Sequence, residues 1–249
     1  MADIVLPPQV TATLGDKWVT FANALTRAIH NLTLGEKRLI AACIAQVKSD
    51  APVPRADEPE KKTYTVTADQ YAELYGVKKE TAYSQMKENQ ATLWKKEIQV
   101  IEKTGKKGRK VRWVQEIQYN DGEASVTLMW TDMMCTVLFN LRKEFTTYRL
   151  RHGAQFTNKY TWDLFDMLAM WRRAGKFTIN VDELRDKLNV AESQRKNYKE
   201  LRTRVLEPAV AEIHEKNGLV VTIEERKKGR KVVELAFSWE ADPQTELNF

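Results

Sequence analysis

The sequence predicts an α+β fold made of two tandem winged-helix domains related by an internal repeat, and three observations predict it. Residues 64–77, YTVTADQYAELYGV, and residues 177–190, FTINVDELRDKLNV, align without a gap: an aromatic, Thr, a β-branched residue, Asp at the sixth place and Val at the end. Each copy is followed by a longer helical pattern and then by apolar residues alternating with polar ones, which gives the order helix, turn, helix, hairpin. The hexapeptide KKGRKV occurs at residues 106–111 and again at 227–232, at the expected turn of each hairpin.

A leading helix precedes each copy. In the first, Thr33 and Glu36 form a capping pair ahead of an apolar run. In the second, residues 160–173 place Leu164, Phe165, Leu168 and Trp171 on one helical face. The Pro-rich polar stretch 48–62 reads as a surface loop. Each short helix then opens on a capping pair, Thr67 with Gln70 and Asn180 with Glu183, and closes on Gly76 or Asn189. Those two residue types tolerate the left-handed conformation that follows a helix.

The longer helix spans about residues 79–96 in the first copy. In the second, Ser193 is the expected N-cap and the helix runs toward His214, with Pro208 kinking or breaking it. The hairpins are read from alternation, Val111, Trp113 and Ile117 in the first copy, and Leu219, Val221 and Ile223 against Val233, Leu235, Phe237 and Trp239 in the second. An extra strand at 124–130 and a helix near 132–142 complete the first unit. A boundary near 145–154 divides the chain into residues 1–148, expected to dimerise and to position DNA, and residues 149–249, expected to carry the main readout.

Charge decides which face matters. The chain has 40 Lys and Arg against 34 Asp and Glu, a net +6, and its distribution says more than its sum. Residues 103–112 hold six cations and no acid, residues 226–231 hold five cations in six, and residues 195–204 hold five with one acid. These are the two hairpin tips and the leading half of the second long helix, the parts of a winged helix that face DNA. Lysines at a tip neutralise phosphates without reading sequence, whereas Arg, Asn and Gln on the helix contact base edges.

Base reading is therefore assigned to Arg195, Asn197, Lys199 and Arg202, with Ser193, Gln194 and Tyr198 beside them. In the first unit the equivalent stretch is Lys78, Lys79, Thr81, Tyr83, Ser84, Gln85 and Lys87. The backbone contacts expected are Lys106, Lys107, Arg109 and Lys110 on one wing and Lys227, Lys228, Arg230 and Lys231 on the other. The tryptophans at 113, 130, 162, 171 and 239 fall on core-facing phases, which assigns them to packing and not to base stacking. Cys43 and Cys135 stand in apolar runs and read as reduced core residues.

Four stretches carry a family likeness: ANALTRAIHNLTLGEKRLIAACIAQV (22–47), FTTYRL (145–150), MLAMWRRAGKF (167–177) and LRTRVLEPAVAEIHE (201–215). In this order and spacing the chain resembles the RepE/RepA-type plasmid replication initiators over about residues 20–240. It departs from their pattern at Trp162, Phe165 and residues 152–155. The resemblance implies binding to directly repeated origin sites, iterons, as a monomer, with both winged helices on one face of the double-stranded DNA. It also implies opening of an adjacent AT-rich region, recruitment of host replication proteins, and a homodimer, paired through the first unit, that represses the initiator's own gene.

Other classes fit less well. GKKGRK (105–110) lacks the spacing and final Ser or Thr of a phosphate loop, and His30, His152 and His214 are far apart with no metal-ligand spacing, so no enzyme activity, cofactor or metal is expected. A tandem winged-helix transcription regulator without a replication role shares the same physics, and a protein-binding scaffold would not need two basic wings. No run of about 18 apolar residues exists to span a membrane, and the N-terminal stretch MADIVLPPQV lacks a signal-type core, so a soluble, cytoplasmic protein is expected.

Overall fold

The computed structural model describes residues 13–101 and 107–241. The first unit opens with strand β1 (Trp18–Ala22), helix α1 (Asn23–Arg27) and the short strand β2 (Ile29–His30). Helix α2 (Leu34–Ile44) starts at the expected capping box: the Thr33 hydroxyl accepts the Glu36 N–H at 3.2 Å and the Glu36 carboxylate accepts the Thr33 N–H at 2.7 Å. The stretch 48–62 is a surface loop, from which Lys62 turns inward to place its ammonium 2.6 Å from Asp132. Strand β3 (Thr63–Thr67) feeds α3 (Ala68–Tyr75) through a second box made by Thr67 and Gln70. α3 stops at Gly76, where φ is 62°. Helix α4 (Lys79–Leu93) follows and packs on α2 so closely that a Cβ at Gly35 would run into the Asn89 amide. Strands β4 (Glu97–Ile101), β5 (Lys107–Arg112), β6 (Val114–Asn120) and β7 (Ser125–Trp130) then lead to α5 (Asp132–Leu138).

Strand β8 (Phe145–Arg149) turns back onto β1, and α6 (Leu150–Ala154) and α7 (Lys159–Met170) lead from the first unit into the second, which repeats the plan with β9 (Lys176–Asn180) and α8 (Val181–Leu188). Asn180 caps α8 through the Asp182 N–H at 2.8 Å, while Glu183 faces Lys187 at 3.6 Å and does not complete a box. α8 ends at Asn189, φ 45°. Helices α9 (Glu192–Lys196) and α10 (Tyr198–Leu201), a π-helical turn at Arg202–Leu206 and α11 (Glu207–Asn217) precede the hairpin of β10 (Leu219–Lys228) and β11 (Lys231–Ala241). Both units have the winged-helix sheet: β3-β7-β6 in the first and β9-β11-β10 in the second.

Three sequence expectations change. First, the wing of the first unit is β6–β7, because β7 is the strand that pairs with β3 just as β11 pairs with β9. The stretch read as an extra strand is half of that wing. The basic residues 107–111 lie on β5, in a separate sheet of order β2-β4-β5, so KKGRKV straddles the turn only in the second unit.

Second, the long helix after Ser193 is broken. α9 is capped at Ala191, Asn197 is extended (φ −120°, ψ 115°), and its side chain accepts the Lys199 N–H at 2.9 Å. That local bond satisfies the N-terminus of a new helix and competes with continuation of the old one. Pro208 lacks an N–H and its ring crowds the carbonyl four residues back. The chain widens into the π turn just before it and stays helical.

Third, Trp171 is 42% exposed: α7 ends at Met170 and the tryptophan leaves the helical phase. Trp113, Trp130 and Trp162 are buried and Trp239 packs against the core, as expected, and Cys43 and Cys135 are free and buried.

A buried ionic cluster ties α2 to α7, the helix that leads into the second unit. Lys37 on α2 reaches Asp163 at 2.5 Å and Asp166 at 2.7 Å, both on α7. Lys159 adds a second cation at 2.9 Å from Asp163 and donates to the Leu188 carbonyl at 2.8 Å. The Tyr148 hydroxyl donates to Asp166 at 2.7 Å and accepts the Trp162 indole N–H at 2.9 Å. Trp162 lies against Gly153, where any side chain would enter the indole ring. Burial works against ionising Asp163, but Lys37 and Lys159 outweigh it and hold its carboxyl well below the ordinary range. The same pairing keeps Lys37 protonated in spite of its burial.

Removing Lys37 leaves Asp163 to Lys159 alone and leaves Asp166 buried with no cation, only the Tyr148 hydroxyl. Lys37→Met is expected to cost about 3–5 kcal/mol of stability, read from urea unfolding at neutral pH. A loss below about 1 kcal/mol, the level of a surface pair, would contradict the buried geometry.

Candidate nucleic-acid interface

In the second unit the residues expected on one helix fall on three elements. Ser193 is exposed on α9. Gln194, also on α9, accepts the Ala191 N–H at 2.8 Å and so caps that turn. Arg195 turns back to α8, 2.7 Å from Asp186 and 3.3 Å from the Arg185 carbonyl. Asn197 is the cap of α10, and its side-chain oxygen is occupied by that role. The exposed helical surface that follows carries Lys199, Arg202 and Thr203, with Tyr198 half-buried at its start. The wing tip beside it presents Lys227, Lys228, Arg230 and Lys231, all exposed, around Gly229 with φ 62°. Among the described residues, Lys228, Arg230 and Lys231 have no acid within ion-pair distance, and Lys227 lies 3.6 Å from Glu225.

Tyr198 and Arg202 are not free. The Tyr198 hydroxyl donates to Glu225 on β10 at 2.9 Å, and Arg202 Nη1 donates to the same carboxylate oxygen. Arg202 Nε donates to Glu207 at 2.9 Å. Burial and this hydrogen bond push the Tyr198 hydroxyl up to about 12. Burial raises Glu225, but the bonds from Tyr198 and Arg202 outweigh it and bring its carboxyl below the ordinary value.

The first unit holds its residues differently. Lys78 caps α4 by position, and Lys79 lies 2.7 Å from Asp69. Thr81 and Ser84 are exposed, with the Ser84 hydroxyl donating to the Glu80 carbonyl at 3.1 Å. Gln85 faces inward and accepts from Tyr71 at 3.3 Å. The Tyr83 hydroxyl donates to Asp121 at 2.7 Å, and Lys87 donates to the same oxygen at 3.2 Å. Asp121 and Glu123 stand at the tip of the β6–β7 wing, so this wing is acidic where the second is basic. On the separate hairpin, Arg109 is exposed and donates to the Met133 sulfur at 3.1 Å, and Lys110 lies 3.4 Å from Glu97. Lys106 lies outside the described residues, and Lys107 is placed only as the first residue of β5.

Sequence reasoning followed cations and missed the carboxylates that hold them, Asp121, Glu207 and Glu225. A signal for two of them existed: a tyrosine with a cation four residues later occurs in both units, at 83 and 87 on α4 and at 198 and 202 from α10 into the π turn. Among the described residues no group of three His, Cys, Asp or Glu side chains could hold a metal, and no helix is long and apolar enough to cross a membrane.

Comparison with known proteins agrees with the two-unit plan. The family model for the initiator replication protein, first winged helix, matches residues 18–169, and that for the initiator Rep protein, second winged helix, matches residues 180–239. A replication initiation protein of Escherichia coli is 25% identical over 233 residues, covering 91% of this chain and 70% of the relative. An uncharacterized 27.6 kDa protein of Escherichia coli is 27% identical over 204 residues, covering 80% of this chain and 85% of the relative. Among solved structures, the Pi initiator protein in complex with iteron DNA shares the fold with a TM-score of 0.74 at 21% identity, covering 92% of this chain and 99% of that one.

The Arg195 contacts make a prediction. Arg195→Ala is expected to lower the urea midpoint and to leave unchanged the base preference recovered from a randomised duplex pool. Lost preference at one base position with unchanged stability would show Arg195 reading DNA.

Proposed function

This chain belongs to the initiator replication protein family, and from that premise we propose that it is a plasmid replication initiator that binds directly repeated origin sites through both winged helices. The observation that carries the proposal is the second unit's exposed helix face, Lys199, Arg202 and Thr203, standing beside a wing tip whose cations are exposed.

In this reading α10 and the π turn enter the major groove and Arg202 addresses a guanine edge. Lys227, Lys228, Arg230 and Lys231 lie along the phosphates, where they displace counterions and give affinity without sequence preference. The first unit contributes position through Lys79, Thr81 and Ser84 on α4. Its basic hairpin, Lys107, Arg109 and Lys110 on β5, supplies a second backbone contact in place of the acidic wing. The division of labour follows the expected one, with residues 1–148 positioning and dimerising and residues 149–249 reading. Bound copies arrayed on adjacent repeats strain the neighbouring AT-rich DNA and present a surface for host replication proteins. A dimer paired through the first unit represses the initiator's own gene.

Binding to duplex repeats is tested by salt titration. If six to ten phosphates are neutralised, the log–log slope is about −5 to −9. Replacing Lys227, Lys228 and Arg230 by Gln is expected to weaken binding to every sequence and to flatten the slope by roughly 2.7, at about 0.9 per phosphate contact. A loss confined to one sequence, or an unchanged slope, would remove the wing from the backbone role. Replication of a plasmid carrying the gene and its flanking DNA, lost when tandem repeats beside the gene are deleted, tests the initiator role itself.

A further inference from the structure

Both recognition helices show the same arrangement, built from different residues. In the first unit Tyr83 and Lys87 share one oxygen of Asp121, which sits in the 3₁₀ turn at the wing tip. In the second, Tyr198 and Arg202 share one oxygen of Glu225, which sits in strand β10 of the wing. The cation stands one helical turn after the tyrosine in each case, so both side chains leave the same helix face. Acid type, cation type and position within the wing all differ, while the wiring is kept.

We propose that this wing carboxylate is a specificity-determining residue: Glu225 aims Arg202 at a base edge and denies it to the phosphate backbone, and Asp121 does the same for Lys87. The proposal rests on the reading of the chain as a sequence-specific duplex binder.

A guanidinium has five N–H donors in a planar fork. Glu207 takes Nε and Glu225 takes one hydrogen of Nη1, which leaves the second Nη1 hydrogen and both Nη2 hydrogens. That free end is the one that fits the O6 and N7 acceptors of guanine. A base edge carries no net charge and can join without displacing either carboxylate. A phosphate would meet a guanidinium whose charge Glu207 and Glu225 already offset, with Lys227 3.6 Å from Glu225 as the further cation, and would gain less there than at a free guanidinium. The side chain of Glu225 is only 17% exposed, which strengthens its field relative to a fully solvated acid. The carboxylate is the repulsive element that separates the right ligand from the wrong one, a general need where many non-specific sites compete.

The test compares a duplex selected from a randomised pool by the wild-type protein with a scrambled duplex of equal length. Glu225→Gln is expected to tighten binding to the scrambled duplex, to steepen its salt slope by about 0.9, one more phosphate contact, and to lower the specificity ratio about tenfold, within the range one base contact supplies. In an Arg202→Gln background the same substitution is expected to leave the ratio unchanged. Equal weakening of both duplexes with unchanged slopes would make Glu225 a packing residue and overturn the proposal, as would an unchanged ratio. If Glu225→Gln fails to fold, Glu207→Gln removes the other, more exposed carboxylate and is expected to shift ratio and slope in the same direction. An unchanged ratio there overturns the proposal equally. Failure of the wild type to select any sequence would instead remove the reading on which the clamp rests.

Discussion

The outward-facing chemistry of this protein depends on where Lys37 sits. Two winged helices joined by a linker move relative to one another by default, because interfaces between domains are ordinarily small and polar. Here α2 of the first unit drives an ammonium between two carboxylates of α7, the helix that leads into the second unit, and the β1–β8 pairing anchors the chain just before it. A buried ion pair is weak evidence for stability, since desolvation consumes most of its Coulomb gain. It is strong evidence for geometry: any rotation that separates the partners leaves charges buried and unpaired. The cluster therefore fixes α7, the way into the second unit, against α2, and in the proposed function that placement decides whether one duplex can meet both units.

The two heads are not equivalent. Both have the sheet of a winged helix, yet one wing ends in Asp121 and Glu123 and the other in Lys227, Lys228, Arg230 and Lys231. The first unit carries Arg109 and Lys110 on a hairpin, β4–β5, that belongs to a different sheet. In the proposed function, affinity from phosphates and selectivity from bases are therefore concentrated in the second unit, while the first adds contacts. In both, a wing acid holds the helix cation.

Much of the fold was legible. Thr33, Thr67, Asn180, Gly76 and Asn189 act through bonds within a few residues, so their signals are local, and each stands at the helix end expected of it. The repeat was legible because β3–α3 and β9–α8 solve the same packing problem with the same residue classes. What escaped was set by distant or competing contacts. KKGRKV looked like one motif in one place, but strand partners decide the wing, and β5 pairs with β4 and not with β7. Asn197 read as the interior of one long helix because its alternative, a cap that restarts the helix, leaves the same apolar spacing. The Lys37 cluster joins residues 126 and 129 positions apart, which no local pattern encodes. Of the interface, the cations were readable and their acidic partners were not, since a lone Asp or Glu in a hairpin looks like any solvated surface charge.

The rigid placement of two reading heads on one duplex is tested most directly by hydroxyl-radical footprinting of the protein on its selected site. The account predicts two protected patches on one face of the duplex, about 10–10.5 base pairs apart, the spacing of successive major grooves. A single protected patch, or two patches offset by about half a turn onto opposite faces, would contradict it.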